Sequence, residues 1–151
     1  MSALSLKFDI PGDDFTRAGE ASSAIKKKLK QMGLSPNVIR NISIAAYEGE
    51  INAVIHGGAN LKKTDHVQPT CGIITVLIDE KEVTVIIEDS GKGIYDIEKA
   101  MQEGFTTAPD EIRSLGFGAG MGLPNMKKYS DEIYVQSEVG VGTKVTMKFY
   151  L

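Results

Sequence analysis

The chain has little cysteine, no long apolar run and no excess of positive charge, and each scarcity closes a class of function. Its one cysteine, Cys71, has no second thiol with which to form an internal disulfide. It precedes the apolar run Ile73, Ile74, Val76, where it is expected to pack as a small hydrophobe and to play no redox part. No segment offers the roughly 18 uninterrupted apolar residues that span a bilayer, and the N-terminus lacks the basic-then-apolar plan of a secretory signal. The expectation is a cytoplasmic protein with no membrane partner. Seventeen basic against 20 acidic side chains leave a formal net charge of −3, which offers the phosphate backbone of nucleic acid no electrostatic footprint. DNA and RNA are not expected as direct partners. Repeats and linkers are also lacking. The 151 residues, 42% hydrophobic and 25% charged, are expected to form a single domain over 1–151 with its own core.

What is present is a clear alternation of patterns. Leu4 to Ile10 alternate apolar and polar side chains as a half-buried strand does, and Pro11-Gly12 end it. Asp13 or Asp14 is expected to cap a helix to about Met32, carried by Phe15, Ala18, Ala21, Ile25 and Leu29 and closed by Gly33. Its Lys26 to Lys28 and Lys30 read as a solvated face. Ser35-Pro36 opens a second helix through Ile39, Ile42, Ile44, Ala45, Ile51 and Val54 to His56, stopped by Gly57-Gly58. Two strand-like runs, Gly72 to Asp79 and Val83 to Asp89, joined by a turn at Glu80-Lys81, predict a hairpin. A short helix is expected within Tyr95 to Met101, a long functional loop over Gln102 to Gly120, and a helix over Met121 to Tyr129. Glu132 to Ser137 and Thr143 to Tyr150 predict a closing antiparallel pair. This order predicts an α+β fold, a two-layer α/β sandwich with a mixed, mostly antiparallel sheet and helices on one face.

Four constellations carry chemistry. In the second helix Glu48 and Asn52 lie four apart on one face, while Glu50 points roughly 160° away. Replacing Glu50 is therefore expected to change little. A carboxylate and an amide oxygen so placed suit a general base and a Mg²⁺ ligand, although alone they also fit an ordinary exposed pair. At the end of the Val83 to Ile87 run, Asp89 emerges from an apolar face and is followed by Ser90-Gly91-Lys92-Gly93. A carboxylate there accepts from the 6-amino group of adenine and finds no donor on the O6 of guanine. Gly91 and Gly93 let the backbone turn tightly and approach a flat base. Gly116 to Leu123 set four glycines at a loop-to-helix junction, where backbone N–H groups suit phosphate oxygens. Gly140-Val141-Gly142-Thr143 reads by itself as a hairpin turn.

In order and spacing these four elements resemble the N-box, the two glycine boxes and the terminal G-x-G-T of the Bergerat-type (GHKL) ATPase superfamily. Glu48-x-x-x-Asn52-Ala53-Val54-Ile55-His56-Gly57 and Phe105 to Ser114 look, more narrowly, like the helix and ATP lid of anti-sigma-factor serine kinases. The resemblance covers nearly the whole chain. It implies ATP and Mg²⁺ as cofactors, Glu48 as the base that activates a substrate serine, Asn52 as the metal ligand and Asp89 as the adenine reader. Gly91 and Gly93 belong by the same resemblance to the base pocket, supported by Thr143. Thr106, Thr107 and Arg113 belong to the lid, with Arg113 near the γ-phosphate, and Gly118, Gly120 and Gly122 face the phosphates. The chain departs from that family at Gly49 and Glu50, where small or apolar residues are expected; Gly49 costs roughly 1 kcal/mol of helix propensity relative to alanine. Its lid also carries the longer glycine run of histidine kinases.

His56, beside the proposed metal ligand, is expected to be a packed histidine and not a phospho-acceptor. No helical dimerisation segment precedes the domain, so a complete sensor histidine kinase is not expected. The resemblance implies protein partners: a sigma factor, an antagonist protein with a phosphorylatable serine, or both, with room for a homodimer. Three functions follow: a serine/threonine kinase acting on a small antagonist, an ATP-dependent module that sequesters a regulator, and a stand-alone ATPase.

Overall fold

Period-two patterning builds the sheet. The computed structural model describes residues 4–12, 15–56, 70–102 and 122–151. Within them β1 (Leu4–Pro11), β2 (Thr70–Ile78), β3 (Glu82–Asp89), β4 (Glu132–Glu138) and β5 (Gly142–Tyr150) form one sheet in the order β1-β2-β3-β5-β4. All four pairings are antiparallel, so the parallel component allowed for in a mixed sheet is not found among the described residues. The register aligns Phe8, Ile74, Ile87 and Val145 across four strands. These belong to the face that packs under the helices, with Ile10, Val76, Val83, Val85, Met147 and Phe149. The opposite face carries Thr75, Thr84 and the ion pairs Lys144–Glu88 and Lys148–Glu82 at 3.9 and 3.8 Å. The β2–β3 turn falls where expected. Asp79 makes it, its side chain accepting from the N–H groups of Lys81 and Glu82 at 2.7 and 2.9 Å.

Helices α1 (Glu20–Gln31), α2 (Pro36–His56), α3 (Ile97–Ala100) and α4 (Gly122–Tyr129) complete the fold. α2 is the central helix, packed on α1, α4 and the strands below. Its buried residues therefore spread around more than one face: Ile39, Ile42, Ala46, Gly49, Glu50 and Ala53 among them. Gly49 is required by this packing, since a Cβ there would run into Ile87 Cδ1 and come within 3.3 Å of Met126 Sδ. Its loss of helix propensity is the cost of a close helix–sheet approach.

α1 is shorter than its sequence pattern. The chain makes a 3-10 turn at Phe15–Arg17, then Gly19 takes φ +100° and the helix begins only at Glu20. Asp13 and Asp14 lie outside the described residues, and the cap comes from elsewhere. The Glu50 carboxylate of α2, with 0% of the residue exposed, accepts from the N–H groups of Gly19 (3.0 Å), Ala21 (3.2 Å) and Ser22 (3.0 Å). The expectation that Glu50 is idle is thereby overturned: pointing away from Glu48 aims it at the orphan donors and positive end of α1. At the other end Gly33 N–H bonds Lys30 O and Leu34 N–H bonds Leu29 O, a Schellman closure with Gly33 at φ +76°. Lys26, Lys27 and Lys30 are exposed, and Cys71 is buried, its Sγ 3.4 Å from Ile10 O. Among the described residues no helix is long and apolar enough to cross a membrane.

Candidate functional site

The site begins where α4 crosses α2. Glu48 is half-buried, and Asn125 Nδ2 donates to its Oε1 at 3.1 Å. Burial raises the Glu48 pKa above the ordinary carboxylate value, and the Asn125 hydrogen bond pulls it partly back. One turn further along α2, the side chain of Asn52 lies against Gly122, where a Cβ would fall 2.7 Å from Nδ2 and 2.8 Å from Oδ1. Gly122 thus lets the start of α4 approach Asn52.

The second cluster lies at the end of β3, and Gly49 links the two by resting on Ile87, two residues before Asp89 on the same face of that strand. Lys92 N–H also reaches the carbonyl of His56 at the end of α2, at 3.4 Å. Asp89 accepts from Gly91 N–H through Oδ1 at 3.0 Å and from the backbone of Thr143, its cross-strand partner. Burial nevertheless keeps its pKa raised, the two backbone bonds opposing that shift. A carboxylate has about four acceptor positions, so these bonds leave room for an external donor.

The glycine turns read separately in the sequence interlock. A Cβ on Gly142 would strike the Asp89 carbonyl, one on Gly93 the Glu138 carbonyl, and Gly140 N–H donates to Lys92 O at 2.8 Å. Ser137 fastens the same junction: its Oγ accepts from Ile94 N–H at 2.7 Å, lies 3.0 Å from Gly142 O and lies 2.8 Å from Thr143 Oγ1. The need for glycine at 93 and 142 thus comes first from backbone packing and positive φ, +77° and +148°.

Glu48, Asn52 and Gly122 therefore gather where α2 meets α4, and Asp89, Gly91, Gly93 and Thr143 gather at the ends of β3, β4 and β5. Thr106, Thr107, Arg113, Gly118 and Gly120 lie outside the described residues, as does the loop that holds them. Asn125 and Ser137 were missed. Asn125 follows Gly122 by three, on the same face of α4. Ser137 continues the inward face of Ile133 and Val135 in β4, and a polar residue there is the signal that could have found it. His56 is half-buried, and burial with the nearby Lys92 charge pushes its pKa down to about 4, as suits a packed neutral imidazole.

The donor set suits the implied cofactors. Among the described residues no three His, Cys, Asp or Glu side chains gather into an all-protein metal cage, and Asn52 offers a single neutral oxygen, the sparse contribution typical of Mg²⁺ held chiefly by phosphates and water. An open cleft of about 810 Å³ also includes Asp89 and Thr143, but Ile73, Glu88, Gln136 and Lys144 line it on the exposed sheet face. Neither Glu48 nor Asn52 lines it.

Comparison with known proteins gives the family and the fold. Residues 13–149 match the histidine kinase-like ATPase domain family. An anti-sigma F factor of Clostridium acetobutylicum is 38% identical over 112 residues, covering 73% of this chain and 68% of that protein. Another, from a Thermoanaerobacter species, is 40% identical over 122 residues, 78% of this chain and 76% of that one. The RsbU and RsbW domains of a Mycobacterium tuberculosis protein share the fold with a TM-score of 0.58 at 18% identity, over 99% of this chain and 32% of that longer one. The mycobacterial sensor histidine kinase MprB does so with a TM-score of 0.52 at 16% identity, over 97% of both chains. The chain belongs to the histidine kinase-like ATPase domain family, alongside the anti-sigma F factors.

Proposed function

We propose that this chain is an ATP- and Mg²⁺-dependent protein serine/threonine kinase of the cytoplasm, acting as one domain, that phosphorylates a small antagonist protein and binds a sigma factor. The observation that carries this reading is the pairing of Glu48 with Asn52 on one turn of α2, each in contact with α4. Glu48 accepts the proton of the substrate serine, and the burial that raises its pKa makes it a better base. Asn52 contributes an oxygen to the metal, and Asp89 takes the adenine amino group through the acceptor capacity left by Gly91 and Thr143. Mg²⁺, when bound, neutralises phosphate charge, so that phosphoryl transfer needs mainly alignment. The anti-sigma F factors among its relatives support a sigma factor as partner.

Pull-down with and without Mg·ATP, followed by mass spectrometry of captured proteins and their phosphoserines, tests the reading. Glu48→Gln should keep ATP binding and lower transfer about 10²–10⁴-fold, and Asn52→Ala should weaken metal-dependent binding itself. A wild-type protein that captures its partner only with ATP yet never phosphorylates it would be a sequestration module.

A further inference from the structure

α4 meets the candidate catalytic pair in two rungs. Gly122 faces Asn52, and Asn125 faces Glu48; the order reverses between the helices, so they cross in an antiparallel sense. Residues three apart on α4 and four apart on α2 lie on matching faces. The buried Leu123 and Met126 of α4 hold the crossing, with Met126 0% exposed and placed against Gly49. A carboxylate is acceptor-only, so an amide facing it must present its NH₂. Among the described residues Asn125 is the one side chain that bonds Glu48, through Oε1 alone.

We propose that Asn125 is a positioning residue for Glu48: by holding one carboxylate oxygen against α4 it orients the other toward the hydroxyl of the acceptor serine. Oε1 is tethered to the helix that follows the glycine-rich segment, and the same helix start lies on Asn52. Base and metal ligand are thereby registered against one rigid element, which keeps their spacing constant during transfer. The proposal rests on Glu48 being the base.

Two measurements test it. In ¹H–¹⁵N spectra of the nucleotide-free protein, the Asn125 side-chain amide should shift on Glu48→Ala; an unmoved resonance overturns the contact whatever the activity. With Mg·ATP and the antagonist captured in the pull-down, Asn125→Leu, close in volume but without a donor, should lower kcat about 10–100-fold. Its KM for ATP should stay within about twofold, since ground-state nucleotide contacts are untouched. Asn125→Gln should recover part of the rate, and Asn125→Leu added to Glu48→Gln should cost nothing further. Full kcat in Asn125→Leu beside an inactive Glu48→Gln refutes the positioning role and spares the base. Full activity in Glu48→Gln, or no transfer by the wild type, refutes both.

Discussion

Replacing Glu50 tests whether one buried carboxylate holds the two long helices together. Its Oε2 accepts from Gly19 and Ala21 and its Oε1 from Ser22, and the residue is 0% exposed. In Glu50→Gln the amide oxygen can keep the Oε2 bonds, but the NH₂ then opposes Ser22 N–H, donor against donor. The lost hydrogen bond to a charged group is worth about 1.5–3 kcal/mol. Removing negative charge from a partly buried helix N-terminus adds up to about 2 kcal/mol, offset by the easier burial of a neutral amide. A net loss of about 2–3 kcal/mol is expected, a large share of a typical domain stability of about 5–15 kcal/mol. Glu50→Ala leaves all three donors unmet and should cost more, above about 4 kcal/mol. Urea unfolding at constant m-value measures both, and hydrogen exchange at Ala21 and Ser22 localises the loss to the start of α1. A Glu50→Gln protein within about 0.5 kcal/mol of the parent, the usual scatter of surface changes, would refute the remote-cap account.

Gly49→Ala sets a gain of about 1 kcal/mol in helix propensity against overpacking of about 1–3 kcal/mol on Ile87, so a lower melting temperature is expected. Gly142→Ala should destabilise in urea unfolding by more than the usual Gly-to-Ala strain at positive φ, since its Cβ meets the Asp89 carbonyl, and should weaken ATP binding in calorimetry. His56 has its pKa lowered from 6.5 to about 4, so the unfolded chain binds a proton in that window that the folded chain does not. Its contribution to stability is intact above pH 6.5, falls as pH drops, and levels off below about 4. Acid titration of unfolding free energy should show His56→Gln losing less over this range than the parent, by at most about 3 kcal/mol. Asp89→Asn should reduce ATP affinity by about 1–3 kcal/mol in calorimetry and narrow the preference over GTP; unchanged affinity would remove Asp89 from base recognition.

Local order determined much of this protein. Alternation placed β1, the β2–β3 hairpin and the β4–β5 pair, and it put Asp89 on the inward face, because strand side chains must alternate between faces. Helical spacing likewise put Glu48 and Asn52 on one side of α2 and Glu50 on another. What lay on that other side was settled only by tertiary structure. The orphan N–H groups of α1 converge on Glu50 from 28 to 31 residues away in sequence, and no periodicity reports a partner so distant. For the same reason Asn125 meets Glu48 only through the crossing of α2 and α4, 77 residues apart in the chain. Gly49 reads in sequence as a weak helix residue and in three dimensions as a position where Ile87 leaves no room for a Cβ. Patterning within one element is dictated by backbone geometry; the identity of the residue opposite is decided by how elements pack.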